Sequence, residues 1–139
     1  MSDASLIDTN VIIYLLGDSD PAKRERAEQL VLAGLRDKSV CISQQVVQES
    51  LNVALRKLKF SVEDAERVLN RILLPLCKVL PPEPLYREAL RVQARYQYSF
   101  YDALIISAAL KLGCKTLYSE DLQHGQQIEQ LRIVNPFVV

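Results

Sequence analysis

Five short apolar runs, at residues 4–7, 39–42, 77–80, 115–118 and 132–134, are separated by stretches in which apolar residues recur at helical spacing. Runs of that length between amphipathic helices read as strands of one parallel sheet with helices on both faces, a three-layer α/β/α arrangement with a central sheet of four to five strands. Right-handed crossovers place every strand-to-helix junction of such a sheet on one edge. The first junction is Ser5-Leu6-Ile7-Asp8-Thr9-Asn10-Val11-Ile12-Ile13, where an apolar run ends in an acid and a helical pattern leaves from the same point. In open α/β sheets that edge is where ligands bind.

The rest of the chain punctuates itself clearly. Asp20 and Pro21 are cap and first-turn residues for a helix from 21 to about 36, with Ala27, Leu30, Val31 and Leu35 inward and Lys23, Arg24 and Arg26 on a solvated face. Ser43 is placed to cap a helix from 44 to about 58, with Val47, Leu51, Ala54, Leu55 and Leu58 as its apolar stripe. Ser61-Val62-Glu63-Asp64 is a capping box for a helix that Pro75 is expected to end. A helix opening at Glu83-Pro84 fades near Tyr96, and Ser99-Phe100-Tyr101-Asp102 is a second capping box. The helix behind it, 103–112, is apolar on nearly every side and so must be buried, with Gly113 as its stop. No linker or repeat interrupts the 139 residues, which read as one domain, 1–139.

Composition removes several chemistries. Lys+Arg and Asp+Glu balance at 17 each, so a nucleic acid would have to be held by a local patch or a metal and not by global charge. Arg56, Lys57, Lys59, Lys111 and Lys115 are the available cations, and runs of this size are ordinarily solvated surface. With four glycines there is no phosphate-cradling loop, and with His124 alone there is neither a His-rich metal site nor a Ser-His-Asp triad. Cys41, Cys77 and Cys114 form no disulfide or zinc pattern, which suits a reduced, cytoplasmic compartment. The acidic start Met1-Ser2-Asp3 and the short first apolar run do not make a signal peptide, and no run is long enough to span a membrane.

What remains is carboxylate chemistry. Asp8 ends the first strand, Glu49 lies about two turns into the helix after the second, Asp102 opens the buried helix, and Asp121 follows the fourth strand. All four reach the same sheet edge. Each has a plain alternative: Asp8 as a cap, Asp102 as a helix-dipole partner, Asp121 as turn chemistry, and Glu49, which lies off the expected stripe, as a surface residue. At ~4 Å and an effective dielectric of ~20, each like-charged pair costs roughly 4 kcal/mol, so either the acids stand apart or a cation sits among them. Hard oxygen donors select Mg²⁺ or Mn²⁺, which activate water for attack on a phosphodiester.

The stretches Leu6-Ile7-Asp8-Thr9-Asn10-Val11, Gln48-Glu49, Ser99-Phe100-Tyr101-Asp102-Ala103-Leu104-Ile105 and Leu117-Tyr118-Ser119-Glu120-Asp121-Leu122-Gln123-His124-Gly125 resemble the PIN-domain nucleases, and more narrowly the VapC-type toxins of bacterial toxin–antitoxin pairs. The resemblance runs from Leu6 to about Val134. It implies that Asp8, Glu49, Asp102 and Asp121 are the catalytic and metal-binding quartet, with Asn10 and Ser119 as accessory polar positions. It also implies Mg²⁺- or Mn²⁺-dependent cleavage of RNA to a 5′ phosphate and a 3′ hydroxyl, a homodimer, and a small antitoxin that blocks the acidic groove. Glu120, beside Asp121, is open to the same role. Three other readings stay open: a housekeeping RNA-processing nuclease, a non-catalytic RNA- or protein-binding module on this fold, and a phosphatase with Asp8 as nucleophile. The last wants an acid two residues on, where Asn10 stands.

Overall fold

The computed structural model describes residues 4–138; the acidic start read above lies outside the described residues. The strands are β1 (Ser5–Ile7), β2 (Val40–Ser43), β3 (Cys77–Lys78), β4 (Thr116–Tyr118), β5 (Gln127–Ile128) and β6 (Leu131–Val134). They form one sheet ordered β3-β2-β1-β4-β6-β5. Five strands are parallel, as expected from the alternation. The sixth, β5, was not expected; it pairs antiparallel with β6 at the edge, and two residues are too few to show a period.

The helices are α1 (Thr9–Leu16), α2 (Pro21–Asp37), α3 (Gln44–Arg56), α4 (Val62–Val68), α5 (Leu74–Leu76), α6 (Pro82–Tyr96) and α7 (Phe100–Lys111). The chain steps outward from β1 to β2 to β3, then crosses back through α6 and α7 to lay β4 against the other side of β1. That reversal sets α6 and α7 on the opposite face from the earlier crossovers. It also makes the gap between the C-terminal ends of β1 and β4 the topological switch point, where open sheets bind ligands. Asp8 follows β1 and Ser119 follows β4, so these two residues stand on either side of that gap.

The core explains why β1 is central. Leu6 and Ile7 have no exposed surface, and every residue of α7 from Ala103 to Ala109 is buried, as its all-round apolarity demands. Ser99 caps α7 through a bond from the Asp102 N–H (3.2 Å), and Gly113 leaves it at φ 71°, a left-handed conformation that favours glycine. Among the described residues no helix is long and apolar enough to cross a membrane.

Three local expectations are corrected. The helix entered at Val62 does not stop at Pro75: it passes through a π-helical turn, Leu69–Leu73, into α5, and Pro75 falls in the first turn of α5, where its missing N–H is tolerated. Ser43 occupies the N-cap position of α3, but its hydroxyl makes no cap bond. Of the expected stripe on α3, Ala54 is fully buried and Val47 and Leu51 pack partly buried against the core, but Val46 and Ser50, which were not expected, are buried and Leu55 is exposed. Val46, Ser50 and Ala54 let α3 approach the core closely, while Leu51 and Leu55 turn toward Val62, Ala65 and Leu69 around α4.

Helix α2 lies close against its strand at Gly34. A Cβ at Gly34 would stand 2.6 Å from the Val40 carbonyl oxygen and 2.8 Å from a Leu76 methyl. The oxygen belongs to the sheet and cannot rotate away. Gly34→Ala is therefore expected to lower stability by roughly 1–3 kcal/mol through overpacking, read as a reduced urea midpoint at unchanged slope.

Candidate active site

Asp8 has both expected roles at once. Its Oδ1 accepts the Thr9 N–H (2.7 Å) as the cap of α1, and its Oδ2 accepts the Ser119 hydroxyl (2.8 Å) across the switch point. The carboxylate is thus fixed from the start of α1 and from the end of β4. Ser119 is fully buried, and its oxygen in turn accepts the N–H groups of Asp121 (3.2 Å) and Leu122 (3.3 Å). One hydroxyl orients Asp8 and shapes the turn that carries Asp121.

Asn10 holds the same turn from α1. Its Nδ2 donates to Asp121 Oδ2 (3.2 Å), and its Oδ1 accepts the Glu120 N–H (3.2 Å). Glu49 is half-buried rather than a surface residue, because the inward face of α3 is rotated toward it. Thr9 Oγ1 donates to one Glu49 oxygen, and Gln45 Nε2 lies 3.3 Å from the other. Gln45 Nε2 also donates to the Tyr101 carbonyl (3.2 Å), which connects α3 to the first turn of α7, where Asp102 sits.

Asp8, Glu49 and Asp121 are therefore brought together, while Asp102 lies in the first turn of α7, next in the chain to Tyr101. Burial pushes the Asp8 carboxyl up to about 6; the bonds from Ser119 and the Thr9 N–H oppose the rise, and the charges of Glu49 and Asp121 add to it. Asp102 is not among those charges. Among the described residues none of the four acids is in an ion pair. Glu120 differs. It is paired with Lys23 and accepts the Tyr14 hydroxyl (2.7 Å), so its carboxylate is engaged by α1 and α2 and not by Asp8 or Asn10. Lys23, expected on a solvated face, is half-buried in that pair.

Sequence reasoning did not single out Thr9, Gln45, Tyr14 or Lys23. Thr9 and Gln45 had a signal in their placement, since each lies in the first turn of a helix leaving the sheet edge. Tyr14 stands one helical turn after Asn10, on the same face of α1.

A groove of about 370 Å³ runs from Asp121, Asn10 and Thr9 along Ile13 and Val53 to Lys57. Among the described residues no three Asp, Glu, His or Cys side chains close into a ready-made metal cage. The donor set nonetheless fits one class of ion. Mg²⁺ and Mn²⁺ take hard oxygen ligands, and Mg²⁺ commonly binds through one or two carboxylates while keeping several waters. Carboxylates grouped with no cationic partner among the described residues, the charge of one of them disfavoured by burial, are what such an ion would relieve.

Comparison with known proteins agrees with this fold. No individually curated protein matches the sequence. Among solved structures, a toxin–antitoxin complex from Klebsiella pneumoniae superposes with a TM-score of 0.70 at 19% identity, covering 98% of this chain and 100% of that one. VapC20 of Mycobacterium tuberculosis, described as a Sarcin-Ricin loop cleaving toxin, gives 0.65 at 21% identity over 85% of this chain and 90% of its own. DNA-bound VapBC from Salmonella typhimurium gives 0.66 at 20% identity over 94% and 96%. At these identities the likeness is one of fold. The PIN domain model matches residues 5–126, from the first residue of β1 to the residue before β5, and so takes in Asp8, Glu49, Asp102 and Asp121. The chain belongs to the PIN domain family.

Proposed function

We propose that this protein is a Mg²⁺- or Mn²⁺-dependent endoribonuclease and the toxin of a toxin–antitoxin pair. The observation that carries the reading is the grouping of Asp8, Glu49 and Asp121 at the switch point with no cationic partner among the described residues, with Asp8 pushed up to about 6. Asp8 and Asp121, with Glu49 and Asp102, would hold the ion. When bound, it lowers the pKa of water and stabilises charge developing on phosphate oxygens.

The chain's own residues do the positioning. Ser119 and the Thr9 N–H fix both oxygens of Asp8, Asn10 fixes Asp121, and Thr9 fixes Glu49. The groove toward Lys57 gives an RNA strand a path away from the acids, with a cation to attract its phosphates. Hydrolysis in this sense joins water oxygen to phosphorus and breaks the bond to the 3′ oxygen, which leaves as a hydroxyl. The phosphatase alternative loses ground because Asn10, where such an enzyme wants a second acid, is engaged in holding Asp121 and the Glu120 N–H.

Three of the structural neighbours are toxins or toxin–antitoxin complexes, which supports a cognate antitoxin as partner and a segment of it as the groove's blocker. We extend the proposal to a homodimer on the same family grounds. Protein freed of any co-purifying antitoxin and incubated with total RNA is expected to yield discrete fragments in Mg²⁺ or Mn²⁺ and none in EDTA. Cleavage that persists in EDTA would overturn the metal-dependent reading, and sequencing of fragment ends identifies the RNA that is cut.

A further inference from the structure

Glu120 and Asp121 are adjacent, yet their carboxylates serve different neighbours. Asp121 faces Asn10 and the acid group, while Glu120 is held by α1 and α2. Tyr14 OH donates to Glu120 Oε1 (2.7 Å), and Lys23 Nζ pairs with Oε2 and lies 3.3 Å from the Tyr14 hydroxyl. The lysine is fixed from above as well, 4.9 Å from the Tyr14 ring centre and 5.5 Å from that of Phe137. The two rings meet edge to face at 5.0 Å, which ties the segment after β6 into the same cluster. A half-buried ion pair with two aromatic walls and a second hydrogen-bond partner holds its geometry far better than an exposed pair.

Besides the backbone bond from the Ser119 N–H to the Val134 carbonyl (3.0 Å), three side-chain anchors hold the turn 119–122: Ser119 to Asp8, Asn10 to the Glu120 N–H and to Asp121, and the Glu120 side chain to Tyr14 and Lys23. The first two lie inside the site. The third runs through Tyr14 and Glu120, which line the groove beside Asp121, to Lys23 on α2, a helix that contributes none of the four acids. We propose that Glu120 is a positioning residue, and that the Lys23–Tyr14–Glu120 clamp sets where Asp121 stands against Asp8 and through that the site's affinity for a divalent cation. This rests on the metal-dependent reading above. Groups that orient metal ligands without touching the metal commonly carry tenfold to hundredfold in affinity.

Mn²⁺ titration of the RNA-free protein by calorimetry tests it, with melting temperature recorded for every variant. Lys23→Met and Glu120→Gln are each expected to weaken Mn²⁺ binding about tenfold or more, and the double variant to be no worse than either single one. Lys23→Arg, which keeps a cation on Glu120, is expected to retain close to wild-type affinity. Tyr14→Phe removes one hydroxyl with little risk to folding and is expected to weaken binding in the same direction. Wild-type binding with unaltered affinity in the folded Lys23, Glu120 and Tyr14 variants, whatever their melting temperatures, overturns the clamp's role alone. A wild-type protein that binds no Mn²⁺, like an Asp8→Asn control, overturns the metal reading and this proposal with it.

Discussion

Asp8→Asn is expected to remove RNA cleavage, by roughly 10³-fold or more, while making the metal-free protein more stable at neutral pH. The two effects have one cause. Asp8 is held in a site that disfavours its charge, with a carboxyl raised from its ordinary value of 3.8 to about 6, chiefly by burial. Between those two values the folded chain keeps a proton that the unfolded chain has released, so stability falls as pH rises through that window and stays low above it. The rise corresponds to roughly 3 kcal/mol at ~1.4 kcal/mol per pH unit. Asn resembles the neutral carboxyl and escapes most of that cost. The variant is therefore expected to melt above the wild type at pH 7.5 and close to it at pH 4. Mn²⁺ is expected to raise the wild-type melting temperature and leave the variant's unchanged, since only the protein that binds the ion is stabilised by it. Equal melting temperatures at both pH values would mean that Asp8 carries no unrelieved charge.

The sheet and its candidate ligand edge were legible because the strand-to-helix junctions carried local signals. An apolar run ended in Asp8, a capping box preceded the buried helix, and Ser119-Glu120-Asp121 closed β4. Those signals are chemical and short-range. They survive without knowledge of what packs against them. The switch point between β1 and β4 follows from the crossover reversal, which strand order alone reveals.

The parts that were not legible depend on tertiary context. The stripe assigned to α3 held at Ala54 and partly at Val47 and Leu51, but the core also takes Val46 and Ser50 and leaves Leu55 exposed, because the buried face is rotated toward the smaller side chains. Glu49 consequently looked like surface and is half-buried. The same limit applies to Lys23. In sequence it lies among charged residues, and only the position of Glu120, 97 residues later, withdraws it from solvent. Pro75 reads as a stop until the π-helical turn before it shifts the register of its helix.

Ser119→Ala is expected to destabilise the protein by roughly 2–4 kcal/mol, a large effect for the loss of one oxygen. That oxygen has no exposed surface, donates to Asp8, and accepts from the Asp121 and Leu122 N–H groups. A hydrogen bond to a charged group carries about 1.5–3 kcal/mol, and buried amides left without an acceptor cost about 1–3 kcal/mol. The deficit is expected to depend on pH. The Ser119 bond is the largest influence holding the Asp8 carboxyl down, so its loss lets burial push that carboxyl above about 6. The window over which stability falls with rising pH then extends upward, and the variant's deficit against wild type should be larger at pH 8 than at pH 5. On an Asp8→Asn background the same serine change should cost less and lose its pH dependence, because no charge remains to be held. Urea denaturation of the four proteins at the two pH values separates the hydroxyl's two duties. A deficit that is the same at pH 5 and pH 8 would show that Ser119 shapes the turn alone, leaving Asp8 to be oriented by the Thr9 N–H.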